Sequence, residues 1–382
     1  METALAPIRA LAQTADAAGR LALLRALRQV QTELQSPTDT LMEIVNQAPL
    51  LASLRLGIDL GLFRTLADRG SVMSLAQLAE SCGASPQLLE RFLRYYAAND
   101  VVEEVDVRQY KATSLTRVVA DPKGTAMISH IFDTHAPTFQ AMPGFFAEKG
   151  YREIGSSTET PFQKAFKTDL GAFDWMARHP EQRESLQTVM TTLEGSAWAD
   201  GLAVLEDAVQ AAPAAGGRTF LVDVGGGRGH QCVQLGRKFP SLLGRLVVQD
   251  LPEVVDGLPA TDGVRAEAHD FFDEQPVAGA SFYYLRRVLH DWPDGDCVRI
   301  LDRIAGAMAA DSRILVDEVV LPDRGAPCQA AMADLAMMVA MGGKERTEQQ
   351  WRALAESSGL RVDEIHTYMA STCTSVVVLA RK

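Results

Sequence analysis

Residues 221–230 read LVDVGGGRGH, an apolar run that ends in a cluster of glycines. Glycines placed between a strand and a helix let the backbone approach a ligand where any Cβ would collide. The dinucleotide-binding pattern GxGxxG would need glycine at position 230, which is histidine here. The pattern is GxGxG, from Gly225 through Gly227 to Gly229, and it suits the amino-acid part of a nucleoside ligand. Alone it is weak evidence, because a tight structural turn can have the same composition.

Strand and helix patterns alternate after residue 217. The predicted strands are TFLVDV (219–224), RLVVQD (245–250), SFYYLR (281–286), SRILVDEVV (312–320) and TSVVVLA (374–380), with helices between them, for example at 297–309 and 347–359. Strands rich in Val, Leu and Ile that alternate with helices predict an α/β fold with a largely parallel, doubly wound sheet. Ligands of such sheets bind beyond the carboxyl ends of the strands.

Acidic residues stand at the ends of the next two predicted strands. Asp250 follows Gly225 by about 25 residues, where a carboxylate of a doubly wound fold meets ribose hydroxyls. Asp270 and Phe271 come at the end of what should be a further strand, between those at 245–250 and 281–286, where the carboxylate could accept from an adenine amino group while the ring packs on the base. Each residue alone could be structural, but features on three successive strand ends indicate a nucleoside site.

A histidine follows the strand at 281–286, in YYLRRVLHDWPD (283–294). His290 falls on the ligand-binding edge, and a neutral imidazole is suited to remove a hydroxyl proton near neutral pH. A single histidine is more often structural than catalytic. Two carboxylates that could orient it are Glu318, on the next strand end, and Glu345, in GGKERT (342–347).

The first 120 residues have a different pattern. Good helix formers fill 8–35, and after the break SPTD, Thr38 or Asp39 could cap the next helix, which we expect to include residues 48–60. From about 61 to 118 the order is helix, turn, helix and β-hairpin, which is the winged-helix arrangement. We therefore divide the chain into a mostly helical domain, 1–120, and a second domain, 121–382, whose α/β core begins at about 217.

A winged helix raises the hypothesis of a DNA-binding regulator. The predicted wing carries Glu103, Glu104 and Asp106, and the net charge of the chain is −12. Phosphate would repel such a surface, so nucleic acid is not expected as a partner.

Residues 121–215 are predicted to be mostly helical and contain many aromatic and Met side chains. Phe173 and Trp175 could line a substrate pocket, as could Met337 and Met338 in the Met-rich stretch before GGKERT, because flexible thioethers can hold a flat substrate. A plain hydrophobic core explains these side chains about as well.

Five scattered cysteines form neither a zinc pattern nor a disulfide framework, and no run of 18 apolar residues occurs. We expect no metal, no membrane span and a cytoplasmic location.

The segments LVDVGGGRGH, VVQDLP, HDFF, YYLRRVLHDWPD and GGKERTEQQW together resemble the caffeic-acid-type family of S-adenosylmethionine-dependent O-methyltransferases. VDVGGG-x-GH and DWMARHPEQ look most like its fungal secondary-metabolite branch. The resemblance covers nearly the whole chain. It implies a winged-helix-like dimerisation domain before a Rossmann-like methyltransferase domain, a homodimer, and a phenolic or polyketide-like small molecule as acceptor.

The resemblance also implies roles for individual residues. Those for S-adenosylmethionine are Gly225 and Gly227 in the glycine loop, Asp250 at the ribose, Asp270 and Phe271 at the adenine, and Arg286, a lysine in plant members, at the methionine portion. His290 matches the catalytic base, and Glu318 and Glu345 match its two supporting carboxylates. An alternative stays open, since some proteins of this fold act as cyclases or pericyclases and transfer no methyl group.

Overall fold

The computed structural model describes residues 2–191, 197–212, 217–258 and 261–382. The chain forms two compact units. The first comprises Met1–Pro137 and Phe173–Leu193, and the second comprises Thr138–Ala172 and Glu194–Lys382. The boundary that the sequence suggests at residue 120 falls inside the first unit.

Helices make up most of the chain before residue 217, and strands alternate with helices after it. The helices of the described residues are α1 (Glu2–Thr14), α2 (Ala17–Leu34), α3 (Pro37–Asp59), α4 (Leu62–Arg69), α5 (Leu75–Cys82), α6 (Pro86–Ala98), α7 (Ser114–Ala120), α8 (Pro122–His130), α9 (Ala136–Glu148), α10 (Pro161–Phe166), α11 (Ala172–Ala177), α12 (Pro180–Thr191), α13 (Ala203–Ala211), α14 (His230–Lys238), α15 (Pro252–Val255), α16 (Asp294–Ala307), α17 (Cys328–Met341) and α18 (Glu348–Ser357). The strands are β1 (Met73–Ser74), β2 (Val102–Asp106), β3 (Gln109–Ala112), β4 (Leu221–Val224), β5 (Leu246–Asp250), β6 (Val264–Ala268), β7 (Phe282–Arg286), β8 (Arg313–Leu321), β9 (Arg346–Thr347), β10 (Leu360–Met369) and β11 (Thr374–Arg381).

The amino-terminal helices differ in detail from the sequence prediction. The segment of good helix formers over 8–35 is divided between two helices, because Asp16 accepts the Gly19 N–H and caps a new helix there. The expected cap at Thr38 or Asp39 is wrong. Ser36 is the cap and Asp39 accepts a hydrogen bond from its N–H, so α3 begins at Pro37 and contains nearly all of the segment 48–60.

The winged-helix prediction is confirmed. The helices α5 and α6 are joined by a turn at Gly83, and the hairpin of β2 and β3 follows. The short strand β1 also pairs with β3, which gives a three-stranded sheet in the order β1-β3-β2. Leu78, Leu93 and Tyr96 are fully buried in the core of this module.

The second unit is built on one large sheet, in the order β10-β11-β8-β7-β4-β5-β6. The strands from β6 to β8 are parallel, whereas β11 and β10 are antiparallel to their neighbours. The predicted α/β fold is therefore confirmed, with a mixed sheet. Strand β4 lies between β5 and β7, so the chain leaves it on one side and returns on the other. A ligand crevice opens at the carboxyl ends of the strands at such a reversal.

Hydrophobic clusters cover both faces of this sheet. Val222 and Tyr283 belong to one cluster, and Leu221 and Tyr284 belong to the other, as alternation along a strand requires. Strand β10 was not predicted from the sequence. Polar side chains occupy many of its positions because it is an edge strand. No helix of the described ranges is long and apolar enough to cross a membrane.

Candidate active site

The glycine loop joins β4 to α14 at the reversal of the sheet. A Cβ at Gly226 would lie 2.6 Å from the Asp223 Cγ and 2.8 Å from the Val248 Cγ2, so the loop is packed tightly on its protein side. A Cβ at Gly227, where φ is +54°, would meet no atom within 4 Å. The Gly227 N–H donates to Asp250 Oδ2 over 2.8 Å. A loop that is tight on one side and open on the other fits a bound nucleoside with an amino-acid portion.

Two carboxylates flank this loop, the half-buried Asp250 and the buried Asp223. Asp250 also accepts the Leu251 N–H, and burial raises its pKa although both N–H donors act in the opposite direction. Asp223 is fully buried on β4, and burial raises its pKa to about 7, with the charge of Arg286 opposing the rise. Asp223 had no role in the sequence prediction. The signal was available, since an acid inside an apolar strand is rarely placed there without function.

The predicted adenine pair lies close to the same loop. Phe271 is half-buried, and its ring is 3.6 Å from a Cβ built on Gly225. Asp270 is exposed and accepts the Phe272 N–H over 3.0 Å. The His269 N–H donates to the Asp250 carbonyl over 2.8 Å and ties the ends of β5 and β6 together. The structure thus brings Gly225, Asp250 and Phe271 to one edge of the sheet.

Arg286 is held by a carboxylate that the sequence motifs did not single out. Its Nη1 lies 3.1 Å from Asp317 Oδ2, and Asp317 is fully buried on the neighbouring strand. The hydroxyls of Tyr284 and Tyr368 also donate to Asp317, over 2.6 and 2.8 Å. The Arg286 guanidinium is therefore fixed by a carboxylate whose two oxygens each accept a tyrosine hydroxyl.

His290 lies in a single 3₁₀ turn, Leu289–Asp291, beyond the carboxyl end of β7. Its Nδ1 is 2.9 Å from Glu345 Oε1 and 3.6 Å from Glu318 Oε2. The other oxygen of Glu318 accepts the N–H groups of Val288 and Leu289, each over 3.0 Å. The structure therefore brings together all three predicted residues, which come from a turn, a strand and a loop.

Charge in this cluster is tightly balanced. Burial acts to lower the pKa of His290, but the carboxylates of Glu318, Asp291 and Glu345 outweigh it and raise the pKa to about 9. Burial raises the pKa of Glu318 to about 7 and that of Asp291 to about 6, with His290 opposing both. Burial acts to raise the pKa of Glu345 too, but the charge of His290 and the bond to it lower that pKa. In the protein alone, the imidazole is a stabilised cation at neutral pH.

Asp291 belongs to the sequence motif but was given no role in it. Its Oδ1 lies 3.6 Å from His290 Nε2, the ring nitrogen that Glu345 does not contact. Ligand atoms of His290, Glu318 and Glu345 all lie within 4.8 Å of one another, close enough to hold a cation, which the sequence did not predict. The 2.9 Å between Nδ1 and Oε1 is a hydrogen-bond length, and it is shorter than the separation of about 3.3 Å between two ligands on tetrahedral zinc.

Arg346 fixes the turn that carries His290. It is fully buried, and its guanidinium donates to the carbonyls of Leu289 over 3.0 Å and Trp292 over 3.1 Å, and to Asp294. It therefore binds both ends of the turn. A Cβ at Gly343 would come within 1.9 Å of the His290 carbonyl, so the loop before β9 closes directly onto the turn. Arg346 lies inside the motif GGKERT, yet nothing in the sequence indicated its role.

The four candidate substrate residues fall in different units. Met337 and Met338 are half-buried on α17, which packs against α10 and against the turn Leu289–Asp291. Phe173 is 45% exposed, and Trp175 is buried and stacked on His179 with 3.6 Å between ring centroids. These last two belong to the first unit.

Two family descriptions match the chain, an O-methyltransferase domain over residues 151–361 and an O-methyltransferase dimerisation domain over residues 42–121. Demethylsterigmatocystin 6-O-methyltransferase of Aspergillus flavus is 38% identical over 382 residues, which span 100% of this chain and 98% of that protein. The O-methyltransferase lepI of the same species is 36% identical over 376 residues, 98% of this chain and 97% of the relative.

Solved structures agree over the full length. The complex of LepI with SAM superposes with a TM-score of 0.91 at 35% identity and covers 100% of this chain and 98% of the other. A structure described as a pericyclic reaction enzyme gives a TM-score of 0.91 at 36% identity and covers 100% of both chains.

We predict that Arg346→Lys loosens the contact between the turn Leu289–Asp291 and the loop that ends at Arg346. Lysine keeps the charge but cannot bridge two carbonyls and a carboxylate at once. We expect a loss of about 3 kcal/mol in the free energy of unfolding and a fall in kcat/KM of about 10²-fold. The control is Arg352→Lys, because Arg352 is exposed and forms its ion pair with Glu348 on α18. Denaturant unfolding and steady-state kinetics measure both. Equal, small effects of the two variants would contradict a positioning role.

Proposed function

The chain belongs to the O-methyltransferase family, and on that premise we propose that His290 is its catalytic base and that the acceptor is a phenolic hydroxyl of a polyketide-like molecule. The enzyme is an S-adenosylmethionine-dependent O-methyltransferase that acts on a small molecule. The cofactor supplies a sulfonium methyl group, which is transferred to the acceptor oxygen. The observation that carries the proposal is the cluster in which Glu345 holds the His290 Nδ1 at 2.9 Å.

We assign the cofactor site to the edge where the glycine loop meets the acidic strand ends. The loop would accommodate the amino-acid portion, whose carboxylate Arg286 would bind. Asp250 would accept from ribose hydroxyls, and Asp270 and Phe271 would hold the adenine. Support comes from the open space beside Gly227 and from the hydrogen bond that orients the Asp250 carboxylate towards the loop.

Asp250→Ala tests this assignment. A carboxylate that accepts from hydroxyls contributes about 1.5–3 kcal/mol, so we expect the Kd of S-adenosylhomocysteine to rise about 10- to 100-fold. Isothermal titration calorimetry measures the change, with Asp302→Ala, an exposed acid on α16, as the control. If the wild-type protein bound neither S-adenosylmethionine nor S-adenosylhomocysteine, the assignment would be wrong.

We assign the proton transfer to His290 Nε2, because Nδ1 is engaged by Glu345. Glu345 and Glu318 fix the ring orientation and stabilise the charge that the imidazole gains, as a carboxylate does behind other catalytic histidines. The buried Glu318 Oε2 has no hydrogen-bond partner among the described residues and lies 3.6 Å from Nδ1. Its main contribution is therefore to stabilise the positive charge of the protonated imidazole.

The acid strength of His290 favours a phenol over an aliphatic alcohol. In the protein alone, the charges of Glu318, Asp291 and Glu345 outweigh burial and raise the pKa of His290 to about 9. A phenol, with a pKa of about 10 as in tyrosine, is matched to within about one unit. An aliphatic hydroxyl, with a pKa near that of water at about 15.7, would leave a gap of about seven units, or roughly 9 kcal/mol. The relative named demethylsterigmatocystin 6-O-methyltransferase supports a small molecule with a hydroxyl group as the acceptor.

The pH dependence should follow the carboxylates around His290. They raise its pKa, so in the free protein the neutral base accumulates only above about pH 9. A bound cation nearby disfavours the imidazolium, so we expect a lower midpoint with S-adenosylmethionine than with the uncharged sulfur of S-adenosylhomocysteine. Glu345→Gln should also lower the midpoint. NMR titration of the His290 imidazole measures the midpoint in the free protein, in the two cofactor complexes and in Glu345→Gln. The signal is assigned with His290→Asn. If Glu345→Gln left the midpoint unchanged, the carboxylates would not be the cause of the raised pKa of His290.

A second candidate is a pericyclase-like reaction that uses the pocket without methyl transfer. The observation in its favour is the TM-score of 0.91 to the pericyclic reaction enzyme. A cofactor labelled with deuterium in its methyl group separates the two, because a methyltransferase product carries the label and an isomerised product does not.

We propose that the partner of the dimerisation domain is a second copy of this chain and that α1, α2 and α3 extend the interface. From Leu5 to Ala52, no side chain that the structure describes is buried, although the segment is helical. Leu24, Leu41 and Ile44 are each more than half exposed. A helical segment with no buried face is marginal in water, so a second copy that covers this segment would stabilise it.

Ile44→Asp should therefore raise the dimer dissociation constant at least 10-fold in sedimentation equilibrium, since it places a charge on an apolar contact. Tyr151→Asp, at a comparably exposed aromatic of the second unit, is the control and should leave the dimer intact. A wild-type protein that sediments as a monomer would refute the proposal.

We also retain a functional boundary near residue 120, supported by the dimerisation match that ends at 121. A cytoplasmic location, finally, is supported by five cysteines that are all free thiols.

A further inference from the structure

Tyr368 stands at an irregular place in the sheet. Along β10, Thr367 pairs with Ser375 and Met369 pairs with Thr374, and the register shifts between these two pairs. Tyr368 is therefore the extra residue of a β-bulge, a feature that re-aims a side chain. Its hydroxyl reaches past β11 and donates to Asp317 Oδ1 on β8 over 2.8 Å.

Asp317 connects this tyrosine to Arg286. The Cα atoms of Arg286 and Asp317 are partners across β7 and β8, and Nη1 lies 3.1 Å from Asp317 Oδ2. The same oxygen accepts the Tyr284 hydroxyl over 2.6 Å. Burial and then the Asp317 charge raise the pKa of both tyrosines, so each hydroxyl keeps its proton and donates. With both oxygens bonded, the carboxylate has one orientation and the guanidinium that it holds has one as well.

The network lies at the ligand-binding edge of the sheet. Strand β10 is antiparallel to β11, and β11 is antiparallel to β8, so β10 ends at the same edge as β8. Tyr368 is the penultimate residue of β10. The charge of Arg286 also acts on Asp223, which contacts the glycine loop.

We propose that Tyr368 is a positioning residue that, through Asp317, aims Arg286 at the carboxylate of the cofactor's amino-acid portion. The proposal rests on the role assigned to Arg286 under the proposed function. A guanidinium recognises a carboxylate by direction as well as charge, so a guanidinium free to turn binds it less well. Tyr368 itself touches neither the cofactor nor the reacting atoms in this scheme.

The test compares two ligands that differ in one portion. S-adenosylhomocysteine has the amino-acid portion, and 5′-methylthioadenosine has the same nucleoside and sulfur without it. For Tyr368→Phe we expect the Kd of S-adenosylhomocysteine to rise about 10-fold while that of 5′-methylthioadenosine is unchanged. A purely structural role would weaken both ligands alike, and that result would overturn the proposal, as would no change in either.

The matched control is Tyr283→Phe. Tyr283 is adjacent to Tyr284 on β7, but its hydroxyl donates to the carbonyls of Val277 and Ala307, away from Arg286. This variant should lower the melting temperature and change neither affinity. A loss of S-adenosylhomocysteine binding as large as that of Tyr368→Phe would overturn the proposal.

A double-mutant cycle completes the test. If Tyr368 acts through Arg286, Tyr368→Phe should add no further loss of affinity to Arg286→Ala. Additive losses would refute the coupling. A wild-type protein that binds neither ligand would refute the cofactor site itself, an outcome distinct from the failure of Tyr368 alone.

Discussion

The candidate active site depends on the hydrogen bonds from the buried Arg346 guanidinium to the two ends of the turn around His290. Arg346 donates to the carbonyls of Leu289 and Trp292, which otherwise accept the weak Cys297 thiol donor and, at Leu289, the Trp292 N–H over 3.3 Å. Glu345, the residue just before Arg346, contacts the imidazole. Residues 345 and 346 therefore set both the position of His290, the proposed base, and the orientation of its ring.

Strand β8 carries one buried carboxylate on each of its two faces. Asp317 and Glu318 are consecutive and both fully buried, and alternation along the strand sends them in opposite directions. Glu318 holds the backbone of the His290 turn, whereas Asp317 holds Arg286 and two tyrosine hydroxyls. The proposed base and the proposed cofactor-binding arginine are thus anchored to neighbouring residues, and a displacement of this strand would disturb both together.

The electrostatics of the site point to a cationic ligand. Asp223, Asp291 and Glu318 all have pKa values raised, chiefly because each is buried. Holding so many carboxylates at one edge of a sheet costs free energy in the protein alone, and a bound sulfonium or imidazolium offsets part of that cost. The charges of Glu318, Asp291 and Glu345 stabilise the protonated imidazole of His290, which is why the pKa of His290 is raised despite its burial.

The sequence by itself determined the α/β fold, the winged helix, the glycine loop and the acidic strand ends, because each depends on residues close together in the chain. It also named His290, Glu318 and Glu345, through the order of its motifs. Only the tertiary structure decided that Arg346 binds the His290 turn and that Tyr368 reaches Asp317, contacts that join residues about 50 positions apart. It likewise revealed the edge strand β10. The physical reason is that periodicity and turn composition are local, whereas a buried hydrogen bond between distant segments exists only once the sheet has brought them together.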